Sequence, residues 1–206
     1  TFVKAHLRTQ RGLEDSSTHV SAVNGSGLMT PALYDWQTEA RSLAEKHSPL
    51  ITVVLFVGNY TDTDLFIGAD GAEIPNDYSQ VFFDEWGRQA ERLTKTLQAT
   101  GTQVSWVLPL PIFSDEGLRR ETLMRQTYLD LAQRMPGVGL IDGRQALGDA
   151  TGAFVWQLPG PDGQLVTVRA GDSLHLTEAG GDRMARQIAL GIGPQLLEIK
   201  RQNAAS

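Results

Sequence analysis

The sequence predicts an α/β fold: a three-layer α/β/α sandwich around a parallel sheet, with a small β-hairpin before the last helix. Three observations carry the prediction. Short β-branched or apolar runs recur along the chain, helical stripes with apolar residues three or four apart separate them, and the connections are long enough for crossover helices. In such folds ligands sit at the carboxyl ends of the strands, so chemistry is sought there.

The elements follow in order. Phe2, His6, Thr9 and Leu13 lie at helical spacing. A fold of this kind normally opens on a buried strand, so a first strand is expected upstream of Thr1. Residues 19–23 read as a strand, and Leu33, Trp36, Ala40 and Leu43 as a helical stripe. Residues 50–57 form the most apolar strand candidate, suited to burial on both faces. Phe82, Trp86, Ala90, Leu93 and Leu97 make the next helix, residues 103–108 the next strand, and Met124, Tyr128, Leu131 and Met135 another helix before a strand at 138–141. Two short apolar runs then flank Pro159-Gly-Pro-Asp-Gly-Gln, a hairpin with its turn. Thr177 is placed to cap a closing helix through Met184, Ile188 and Ile192, and residues 200–206 read as a frayed polar tail.

Length and composition narrow the function. At 206 residues the chain suits a single domain, 1–206, with one core. A net charge of −6 without a Lys/Arg cluster argues against nucleic acid or an anionic membrane surface, and leaves a neutral or weakly polar substrate as the natural partner. With no cysteine, thiolate zinc sites, disulfides and thiol catalysis are excluded. No apolar run reaches transmembrane length, and the start Thr1-Phe2-Val3-Lys4 carries no signal-peptide core, so it reads as processed or excised from something longer.

The chemistry concentrates in Asp172-Ser173-Leu174-His175, between the hairpin and the last helix. A carboxylate accepting from His Nδ1 fixes the tautomer and leaves Nε2 to take a proton from a hydroxyl nucleophile. A bare D-x-x-H is more often a capping carboxylate beside an ordinary loop histidine. Two strand-end features add to it: Asn24-Gly25-Ser26-Gly27-Leu28 after residues 19–23, and Gly58-Asn59 after residues 50–57. A glycine N–H and an asparagine amide are donor types suited to an oxyanion hole.

With these motifs in chain order, the sequence resembles the SGNH (GDSL-type) hydrolase superfamily, and within it an extracytoplasmic, actinobacterial-type branch often associated with membrane acyltransferases. Ser26-Gly27-Leu28 resembles the glycine block, which implies Gly27 as a backbone oxyanion donor. Val57-Gly58-Asn59 resembles the asparagine block and implies Asn59 as the side-chain donor. Asp172-x-x-His175 with Leu176-Thr177-Glu178-Ala179-Gly180 resembles the last block, implying His175 as base and Asp172 as its orienter. Weaker matches are Pro31-x-x-Tyr34-Asp35-Trp36 and Trp106-x-x-Pro109-x-Pro111. The family's nucleophile lies in a Gly-Asp-Ser turn after the first strand, and this sequence has neither, so the serine is expected upstream of Thr1. Gly171-Asp172-Ser173-Leu174 spells the motif literally, but Ser173 sits on the loop of its own acid and base. Ser26 ranks no higher, since the resemblance needs its turn for the oxyanion hole.

The resemblance implies a serine esterase or O-acyltransferase without cofactor, acting on an acylated small molecule or glycan outside the cytoplasm. The implied partners are a membrane acyltransferase or a chain supplying the missing strand. The alternative is an inactive glycan-binding or scaffold module on the same fold. A flavin or nucleotide binder is the poorer reading, because no phosphate-cradling glycine loop follows a strand. Asp62 and Asp64 read as a solvated loop rather than a metal site, and residues 61–79 as an insert suited to substrate selection. Trp36, Trp86 and Trp106 suit core packing, and Trp156 is the better candidate for stacking on a sugar. His6, His19 and His47 lack a carboxylate at triad spacing.

Overall fold

The computed structural model describes residues 2–56, 66–68, 71–75 and 77–205. The elements run α1 (Phe2–Arg8), α2 (Trp36–His47), β1 (Ile51–Val54), β2 (Phe66–Ile67), β3 (Glu73–Ile74), α3 (Gln80–Gln98) and β4 (Gln103–Leu108). They continue with α4 (Asp115–Arg134), β5 (Gly139–Asp142), α5 (Arg144–Leu147), β6 (Gln157–Pro159), β7 (Leu165–Thr167) and α6 (Glu178–Ala205). Strands β1, β4 and β5 form a sheet in that order, with β1 and β4 parallel from Ile51 opposite Gln103 to Val54 opposite Trp106. This is the expected α/β class, with helices on the crossover connections.

One expected strand does not form. Residues 19–23 are irregular, and Val20 is 62% exposed. A β-branched run becomes a strand only where a neighbouring ladder takes up its N–H and C=O groups, and this segment joins none of the sheets among the described residues. Conversely, the described part of the 61–79 insert, expected as a loop, holds a hairpin of two-residue strands, β2 against β3.

The chain forms two compact units, residues 1–20, 107–121 and 141–206 in one and residues 21–106 and 122–140 in the other. In the second unit, α3 buries Phe82, Trp86, Ala90, Leu93 and Leu97, the predicted stripe. Its N-cap Ser79 accepts from Phe82 N, and Asp35 likewise caps α2 through Gln37 N and Thr38 N. The buried indoles are satisfied: Trp86 Nε1 donates to Tyr128 Oη and Trp106 Nε1 to Thr94 Oγ1, each at 3.0 Å.

In the first unit α1 packs on α6 through buried Leu7, with Gln10 Nε2 donating to Ala189 O at 3.0 Å. Helix α6 continues through residues 200–205, the expected frayed tail, as an exposed helical end. The predicted hairpin is β6 against β7, Gln157 opposite Thr167, closed by Gly160 N to Gln164 O and a left-handed Gly163. It leads directly into the Asp172 loop.

Candidate active site

An antiparallel bridge between Arg169 and Leu176 closes residues 170–175 into one tight loop. Within it Ala170 N donates to His175 O at 2.8 Å and Ser173 N to Ala170 O at 2.9 Å. Ser173 takes the left-handed backbone, φ 63, which lets the chain reverse between acid and base. The Asp172 side chain then organises the turn. Its Oδ1 accepts the amides of Leu174 (3.0 Å) and His175 (2.9 Å), and its Oδ2 accepts from His175 Nδ1 at 2.6 Å.

The loop's floor comes from helix α6. Thr177 Oγ1 accepts from Gly180 N at 3.2 Å, the predicted cap, and donates to Thr167 O at 2.6 Å, tying the helix start to the hairpin. A Cβ at Gly180 would strike the Val168 carbonyl, so the glycine permits that close approach.

The electrostatics follow from those bonds. The His175 ring hydrogen bond, then the His175 and Leu174 amides, hold the Asp172 carboxyl down to about 2, so it is an anion at neutral pH. Bonding through Nδ1 orients the neutral ring with Nε2 as its acceptor nitrogen. His175 is exposed, and Nε2 has no hydrogen-bond partner among the described residues. The pair can take a proton from a hydroxyl brought to Nε2 and return it to a leaving group.

Arg169 is a residue that the sequence reading missed. It is 2% exposed, donates from Nη2 to Pro111 O at 2.8 Å and from Nη1 to Leu174 O at 3.4 Å, and lies 5.3 Å from the Phe154 ring centroid. Its Nε has no hydrogen-bond partner among the described residues. Burial pushes the guanidinium below its ordinary value, opposed by the nearby Glu121 charge. Its nearest sequence signal is the hairpin itself, since a charged residue at the end of a strand heading into a core demands partners.

Gly27 and Ser26 belong to the second unit. Gly27 is buried; its carbonyl accepts from Thr30 N and Oγ1 at 3.4 Å, while its N–H meets no acceptor among the described residues. Ser26 is committed to structure, its Oγ donating to Val23 O at 2.7 Å and accepting from Trp36 Nε1 at 2.9 Å. Asn59, with Gly58, Asp62 and Asp64, lies outside the described residues. Ser173 Oγ makes no hydrogen bond to the His175 ring among the described residues. Elsewhere in this unit a groove is lined by Arg41, Arg88, Arg92 and Lys95, but Glu85 pairs with Arg88 at 2.7 Å and Glu91 with Lys95 at 2.6 Å. It holds no histidine.

Among the described residues no cluster of three or more His, Cys, Asp or Glu is placed to hold a metal ion, and no helix is long and apolar enough to cross a membrane. A family model described as Protein of unknown function (DUF459) matches residues 2–190. No curated protein matches the chain in sequence. Among solved structures, a carbohydrate esterase family 3 protein from Talaromyces cellulolyticus is similar with a TM-score of 0.58 and 15% identity, over 98% of this chain and 91% of that one. At that identity the likeness is one of fold.

Proposed function

The chain belongs to the family described as Protein of unknown function (DUF459), and from the site's own geometry we propose that it is the acid–base part of a serine esterase or O-acyltransferase acting on an acylated carbohydrate. The observation that carries the reading is the His175 Nδ1 to Asp172 Oδ2 bond of 2.6 Å with Nε2 turned to no partner among the described residues. That polarity suits a general base, because the buttressed nitrogen is distinct from the reacting one. The shared fold with a carbohydrate esterase supports the choice of an ester on a sugar.

In the proposed cycle His175 Nε2 accepts the serine hydroxyl proton as the oxygen attacks the ester carbonyl. The protonated ring then delivers that proton to the departing alkoxide, and water or an acceptor hydroxyl repeats the sequence on the acyl-enzyme. Gly27 N–H and the Asn59 amide take the oxyanion-donor roles that their blocks imply. The nucleophile is proposed on a further strand that precedes Thr1, since Ser26 is engaged in structural bonds and Ser173 makes none to the His175 ring among the described residues. By the same resemblance the setting is the cell envelope, with a membrane acyltransferase as partner.

The test is a fluorophosphonate probe on the chain extended at its N-terminus into its reading frame. The expected result is one labelled serine, mapped by mass spectrometry to the added segment, with labelling lost in His175→Ala. A folded extended chain that takes no label would overturn the proposal.

A further inference from the structure

In the first unit three aromatic rings from two segments meet beside the Asp172 loop. Phe113 follows β4, and Phe154 and Trp156 precede β6. Ring centroids lie 5.4 Å apart for Phe113 and Phe154, 6.0 Å for Phe113 and Trp156, and 5.1 Å for Phe154 and Trp156, all tilted or edge-on. Tilted packing satisfies the rings' quadrupoles without sandwiching their faces. Phe113 is 59% and Trp156 40% exposed, so they present their apolar surface as one patch rather than singly.

The cluster is rigidly mounted. Phe113 leaves a turn in which Ser114 Oγ accepts from Gly117 N at 3.0 Å, and any side chain at Gly117 would strike Ile112. Phe154 is held by a bridge to Gly148, and Trp156 O accepts from Val168 N at 2.9 Å. Behind the rings lies Arg169. One buried guanidinium ties the Phe113 segment through Pro111 O, stacks against Phe154, and reaches the His175 loop through Leu174 O. Burying a cation with an unpartnered Nε is costly, and the return is a common mount for three rings and the base.

We propose that Phe113, Phe154 and Trp156 form a stacking platform for a pyranose ring of the glycan whose ester His175 serves; the inference rests on the esterase reading above. The geometry favours a sugar over an acyl chain. An alkyl chain gains most where a concave pocket encloses it, but Phe113 and Trp156 stand exposed and Phe154 half-buried, with exposed Ser114, Asp115 and Glu116 following Phe113. A pyranose presents one C–H-rich face to an aromatic and keeps its hydroxyls in water, which suits an open platform with a polar flank.

The experiment titrates the 206-residue chain with xylohexaose, cellohexaose and chitohexaose, and in a parallel arm with octanoate, reading the four indole N–H signals by NMR. The expected result is a saturable shift of the Trp156 indole with at least one hexaose, and none at the Trp86 or Trp106 indoles. Binding should weaken at least tenfold in both Trp156→Ala and Phe113→Ala, with His175 ring signals unchanged as the check on folding. A Trp156 signal unmoved by all three glycans, or saturated only by octanoate, overturns the platform. Binding needs no nucleophile, and fluorophosphonate labelling needs no glycan, so the two proposals fail separately.

Discussion

His175 meets Asp172 from three residues along one loop and bonds it through Nδ1, whereas His6 on α1 meets Asp182 on α6 across 176 residues and bonds it through Nε2, at 2.8 Å. The same two residue types thus give opposite arrangements within the first unit. At His6 the carboxylate occupies the nitrogen that the triad arrangement leaves open, and the bond staples two helices. At His175 the carboxylate is itself held by two amides, and the outer nitrogen meets no partner among the described residues. Which nitrogen is engaged, and whether the carboxylate is anchored, separates a base from a staple better than proximity does.

The sharpest way to break this contrast is to delete each ring in the extended, fluorophosphonate-reactive chain. His175→Ala is expected to lower kcat on an acetylated oligosaccharide by about 10³-fold or more, while His6→Ala stays within about twofold. Equal losses from both would dissolve the distinction.

A smaller effect is expected from the acids. Asp172→Asn leaves a side chain that can still hydrogen-bond but no longer fixes the ring with its proton on Nδ1, so kcat should fall about 10²- to 10⁴-fold with little change in KM. Ring ¹⁵N shifts would show His175 sampling the other tautomer. Asp182→Asn should move neither the kinetics nor those shifts; a loss as large as that from Asp172→Asn would place the staple in the chemistry.

Acid sharpens the comparison further. The Asp172 carboxyl ionises at about 2 in the folded chain against an ordinary 3.8. Because the folded value is lowered, the loop's stabilisation is fully present above about pH 4 and is lost as pH falls toward 2. Following the Asp172 side-chain carbon by NMR should give a midpoint near 2, with faster amide exchange at Leu174 and His175 below it once that exchange is corrected for its own pH dependence. A midpoint at the ordinary value would mean that the His175 ring and the two amides do not hold the carboxylate in solution.

The two pairs also differ in how far the sequence disclosed them. Asp172, Ser173 and His175 are bound by contacts within four residues, as is Thr177 to Gly180, so both the pair and the cap lie in local sequence, although the pair stood out from an ordinary capping carboxylate only beside the glycine and asparagine blocks. His6 has no carboxylate at triad spacing, and its actual partner is 176 residues distant in sequence. Arg169 escaped for the same reason, since Pro111 lies 58 residues away. The failure of residues 19–23 as a strand has a related cause: alternation encodes a face, while a ladder needs a neighbour that local sequence does not name. Helical stripes carry their own hydrogen bonds, and the α3 stripe was accordingly read in full.

The least disruptive test concerns the staple. His6 and Asp182 side chains keep 26% and 48% of their surface, so solvent screens the pair and each partner retains water when the other is removed. A double-mutant cycle of His6→Ala and Asp182→Ala is therefore expected to give a coupling of about 1 kcal/mol or less, which for a chain of this length lowers Tm by about 2–4 °C. Much of the α1 to α6 attachment should survive, because Leu7 is buried and Gln10 bonds Ala189 O independently of the pair. A coupling above about 2 kcal/mol would require a drier pair than this one, and would make His6 a determinant of the first unit's fold rather than a local tie.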